Sequence, residues 1–84
     1  MNTRQRRTLN AVFADPIRVD IEWQDIEALL KGLGAQISEG RGSRVRIVLH
    51  GVRATFHRPH PRKETDRGSV RSVRRFLEEA GVRP

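Results

Sequence analysis

Two alternating runs, Arg44 to Leu49 and Val52 to His57, flank His50-Gly51 and constrain the fold more than any other part of the chain. In the first run Val45, Ile47 and Leu49 fall on one side, with Arg44, Arg46 and Val48 on the other. The second repeats the pattern, setting Val52, Ala54 and Phe56 against Arg53, Thr55 and His57. Successive side chains of a strand point to opposite faces, so spacing of this period predicts half-buried strands. Gly51 supplies the positive φ that a tight hairpin turn requires. The pair reads as an antiparallel hairpin with one apolar face and one basic face. A shorter strand is predicted from Ala35 to Glu39, and Gly40-Arg41-Gly42 turns from it into the hairpin.

The remaining segments read as helices. Leu9, Val12 and Phe13 form one stripe of a helix over Arg4 to Phe13, which Asp15-Pro16 ends because a residue before proline is pushed out of helical geometry. Ile17 to Asp20 alternates briefly and predicts at most a short extended lead-in. A second helix runs from Glu22 to Leu33 with Ile26, Leu29, Leu30 and Leu33 on its buried face. Asp20 is its expected cap, and Gly34 its stop in left-handed geometry. After a loop over Arg58 to Arg67, Gly68 or Ser69 opens a last helix to Ala80. Its stripe is Val70, Val73, Phe76 and Leu77, and Arg71, Arg74 and Arg75 ride the exposed sides. Ser69 is the expected cap and Gly81 the terminator. The order helix, helix, three antiparallel strands, helix predicts an α+β two-layer domain.

Length and composition set the function classes. The 84 residues make one domain, and the absence of cysteine removes disulfides, thiolate catalysis and thiolate metal sites together. No stretch approaches the roughly 20 apolar residues of a membrane span, and no apolar signal core follows MNTRQRR, so the chain is expected in the cytoplasm. Seventeen Lys and Arg stand against ten acids, and nearly all the cations are Arg. Arg presents a planar fork of donors that matches phosphate oxygens. Clustered as they are, these arginines point to a polyanion partner rather than to solubility alone.

Four features carry a resemblance to a known family. A helix ends at Leu33-Gly34-Ala35, and Gly42-Ser43 opens the second strand. His60-Pro61-Arg62-Lys63-Glu64 follows, then the closing run Gly68-Ser69-Val70-Arg71-Ser72-Val73 to Ala80-Gly81-Val82. In this order and spacing, the stretch from Trp23 to Val82 resembles the HicA toxins of type II toxin–antitoxin systems. The resemblance implies an α-β-β-β-α fold of the double-stranded-RNA-binding-domain (dsRBD) type, with helices on one sheet face. It also implies cleavage of mRNA, independent of the ribosome, and a HicB antitoxin as partner. Residues 1–16 then form an N-terminal helical extension and residues 17–84 the HicA-like RNA-binding domain.

One departure bears on the chemistry. The family places its catalytic histidine directly after the Gly-Ser pair, where this chain has Arg44. Cleavage through a 2′-hydroxyl needs proton transfer, which histidine performs because it titrates near neutral pH. Arginine stays protonated; it holds phosphate and stabilises developing charge but is no base. His57 shares a face with Arg53 and Thr55 and is one replacement proton shuttle; His60, four residues before Glu64, is another. His50 is read as a turn residue. His57 and His60 lack a third ligand at suitable spacing, so no metal and no other cofactor is expected.

The expected RNA-binding set is Arg41, Ser43, Arg44, Arg46 and Arg53 on the hairpin, with Arg58, Arg62, Lys63 and Arg67 in the loop. Double-stranded RNA is read mainly through shape, phosphates and 2′-hydroxyls, which suits a chain poor in aromatic residues. Trp23 is expected in the core or an interface. Three readings stay open: an endoribonuclease toxin with a rearranged active site, a HicA-like domain that binds RNA without cutting it, and a protein-interaction domain whose basic surface meets HicB or another acidic partner.

Overall fold

Val45, Ile47, Leu49 and Phe56 all turn to one side of the sheet and are buried there, as their period-two spacing dictates. The computed structural model describes residues 1–84. Its elements run α1 (Thr3–Val12), α2 (Trp23–Gly32), β1 (Gln36–Glu39), β2 (Arg44–Leu49), β3 (Val52–His57) and α3 (Arg67–Glu79). The three strands form one antiparallel sheet in the order β1-β2-β3. This is the α+β, α-β-β-β-α arrangement expected from the sequence, preceded by an extra helix. His50 (φ 50°) and Gly51 (φ 81°) make the β2–β3 turn.

All three helices bury their apolar stripes in one core shared with the inner sheet face. Leu9 and Val12 of α1, Ile26, Leu29 and Leu30 of α2, and Val70, Val73, Phe76 and Leu77 of α3 meet the strand residues there. Phe56 contributes most of the aromatic packing, tilted against Trp23 at 5.8 Å between ring centroids and edge-on to Phe76 at 5.7 Å. α1 packs on α2 and α3. Gly32 leaves room for the end of the Gln5 side chain, which a Cβ there would displace. The Gln5 amide is in turn held by its bond to the Ala28 carbonyl.

Two caps differ from expectation. Glu22, not Asp20, is the N-cap of α2, and its side chain makes no capping bond. Asp20 is drawn away by Arg18, whose guanidinium grips both carboxylate oxygens at 2.8 and 2.6 Å. Asp66 rather than Ser69 caps α3, its carboxylate accepting from the Ser69 amide at 2.7 Å. An acid three residues before a helical amide is geometrically placed to cap it, so α3 starts earlier than the serine suggested.

The loop between β3 and α3 is strapped to the start of α2. The Trp23 amide donates to the Lys63 carbonyl at 3.0 Å and the Thr65 amide to the Ile21 carbonyl at 2.7 Å, flanking a bridge between Glu22 and Glu64.

Candidate nucleic-acid interface

The register of the sheet decides which charged side chains meet. Arg44 lies directly opposite His57, Arg46 opposite Thr55, and Val48 opposite Arg53. On the other side, Ser38 of β1 faces Arg46 and Gln36 faces Val48. Directly opposed residues share a face, so all of these line the side of the sheet away from the helices. Every one of them except half-buried Val48 is exposed. No acid interrupts this face, because Glu39, the acid of the strands, belongs to the opposite parity. Ser38, Arg46, Val48, Arg53 and Thr55 together border a shallow depression.

The predicted RNA-binding residues divide into three groups. Arg41, Ser43, Arg44, Arg46 and Arg53 are exposed, and none of these arginines takes part in an ion pair. Arg62, Lys63 and Arg67 are exposed on the strapped loop or at the start of α3, where Arg62 approaches Glu64 at only 3.8 Å. Arg58 stands apart from both groups. Its Nε donates to Glu27 at 2.7 Å, and its Nη2 donates to Glu39 at 2.8 Å. One residue past His57, it turns to the helix side of the sheet, where these two carboxylates hold it half-buried and the Trp23 indole donates to Glu27. Its backbone amide also donates to the Ser43 carbonyl at 2.9 Å and pins the end of the hairpin. Arg58 therefore already has acidic partners inside the chain. Strand parity (44, 46, 53, 55, 57 on one face) carried the signal that separates it from the strand arginines.

The clamp sets the protonation of its members. Burial pushes the Glu27 carboxyl up, but the bonds from Arg58 and Trp23 outweigh it and hold the group below the usual range. Glu39 is lowered chiefly by its bond from Arg58. Both carboxylates raise the Arg58 guanidinium, Glu39 foremost.

The histidines occupy three different settings. His57 is exposed beside Arg44. His60 is exposed on the loop, around a separate cleft with Pro59, Arg62, Glu64, Asp66 and Arg67. His50 reaches the C-terminal end of α3, where its Nδ1 lies 2.8 Å from the Ala80 carbonyl and must carry the proton to donate. That contact ties the β2–β3 turn to the helix layer, a structural role that the turn position alone did not disclose. No group of three or more His, Asp or Glu is arranged to hold a metal ion.

A three-stranded antiparallel sheet with helices on one side and a bare cationic face on the other defines a small α+β domain of the dsRBD type. Residues 23–82 match the family model for the HicA toxin of bacterial toxin–antitoxin systems, and the chain belongs to that family. Membership implies an antitoxin partner. α1 lies outside the matched residues. No curated protein and no solved structure matches the chain. No helix is long and apolar enough to cross a membrane.

Proposed function

We propose that this toxin acts on RNA, mRNA being its cellular target, through the outer face of the sheet, and that a HicB-type antitoxin neutralises it in the cytoplasm. One observation carries the reading: Arg44, Arg46 and Arg53 occupy a single exposed sheet face, unpaired and without an acid among them. A row of this kind suits the phosphate backbone, whose neutralisation by Arg supplies most of the affinity in nonspecific binding. An acidic antitoxin surface would compete for the same guanidinium groups. The test is a titration of the protein with a labelled RNA hairpin, followed by amide shifts. Shifts concentrated on residues 44–57 support the reading; shifts confined to α1 or absent altogether overturn it.

The Arg44–His57 pairing favours a second step, cleavage. Here His57 accepts the proton of a 2′-hydroxyl, whose oxygen bonds to phosphorus as the bond to the 5′-oxygen breaks and that oxygen takes a proton from water. Arg44 holds the phosphate and balances its growing charge. Binding alone, without cleavage, is the reading left if growth is arrested while mRNA stays intact, whereas mRNA loss that persists without His57 assigns the proton transfer to another group such as His60. Inducing the gene without an antitoxin and following growth and mRNA integrity separates the two. His57→Ala abolishes growth arrest and mRNA loss, with the fold intact, if His57 transfers the proton.

A further inference from the structure

We infer that the RNA path does not end at the edge of the sheet but turns over β3 onto α3, with Arg75 and Ser72 as its second half. The inference rests on the RNA reading above and extends it to a helix that the sequence treated only as core and solvent face. β3 is an edge strand, and it packs against α3. Arg53, Thr55, Ser72, Arg75 and Glu79 border a groove there, floored by Phe56 and Phe76, whose edge-on contact fixes the helix against the strand. Arg53 and Thr55 also border the depression on the outer sheet face. The two concavities therefore share a rim, and a chain lying along Arg46 and Arg53 continues into the groove without leaving the surface.

The chemistry of the groove favours a polyanion. Arg53 and Arg75 are both exposed, and neither forms an ion pair, although Glu79 stands one helical turn from Arg75. Two unpaired guanidinium groups on the lining of one concavity repel each other, and an anion between them relieves that repulsion. A phosphate there accepts from both forks. The Ser72 hydroxyl already donates to the Gly68 carbonyl at 3.1 Å, which leaves its oxygen lone pairs to receive a 2′-hydroxyl. Glu79 opposes an anion and marks the far end of the path.

The test compares single variants by the dependence of affinity for a labelled RNA hairpin on salt. Arg46→Ala reports the sheet half, Arg75→Ala the helix half, and Arg6→Ala, exposed on α1, removes the same charge outside the groove. Arg75→Ala is expected to flatten the slope of log affinity against log salt by about one unit, as Arg46→Ala does, while Arg6→Ala leaves it unchanged. Glu79→Gln is expected to tighten binding. If Arg46→Ala flattens the slope and Arg75→Ala does not, the path stops at β3 and the inference falls while the sheet reading stands. If Arg6→Ala flattens the slope as much as Arg75→Ala, the groove has no particular role and the inference falls as well. If neither Arg46→Ala nor Arg75→Ala has an effect, both the inference and the sheet reading are overturned.

Discussion

Arg74 of α3 donates from Nε to the carbonyl of Val12 at 2.9 Å, so the last helix of the chain holds the open end of the first. A second bond, from Nη2 to the Ala14 carbonyl at 2.7 Å, and the guanidinium over the Phe13 ring complete the grip. The carbonyls at a helix C-terminus lack partners within the helix, and a cation there also complements its dipole. α1 is thus joined to the core on which the family-matched residues fold.

Arg74→Ala should accordingly destabilise the protein by about 2 kcal/mol, the range for lost bonds to a charged donor. Arg71→Ala, on the exposed side of the same helix, should change stability by less than about 0.5 kcal/mol. Urea unfolding of the two variants measures the difference. Equal effects would mean that α1 is not anchored through Arg74.

The caps make a second discriminating pair. Asp66→Ala removes the acceptor of the Ser69 amide and should cost about 1 kcal/mol, whereas Ser69→Ala should cost only a few tenths. The reverse order in urea unfolding would restore serine as the cap.

What the sequence disclosed and what it withheld divide along the range of the interactions. The strands, the hairpin turn and the helical stripes follow from spacings of two to four residues, and β2 and β3 lie where alternation put them. The cationic outer face followed from the same alternation. The contacts of Arg58, Arg74 and His50 were not legible because their partners sit far away in the chain, at Glu27 and Glu39, at Val12 and Ala14, and at Ala80. Nothing local in Gly32 announced that α1 would pack against it. The departure at Arg44 was legible as a residue, but that His57 stands opposite it needed the register.

The clamp around Arg58 predicts an acid-dependent loss of stability. Glu27 and Glu39 are both held below the ordinary glutamate value of about 4.3, so their contribution is complete above that pH and disappears as pH falls through the lower folded values. Asp20, lowered mainly by its bond from Arg18, adds to the same limb. Denaturant midpoints measured from pH 7 downward should hold level to about pH 5 and then fall. Arg58→Met should make that fall shallower, because the two glutamates then differ less between folded and unfolded chains. An unaltered acid limb in Arg58→Met would contradict the clamp.

The sheet face is tested most directly by the salt dependence of RNA binding in Arg44→Ala, alone and combined with Arg46→Ala and Arg53→Ala. Removing one phosphate contact should flatten the slope of log affinity against log salt by about one unit, and removing all three by about three. Slopes indistinguishable from the parent protein, with the fold intact, would contradict an RNA-binding sheet.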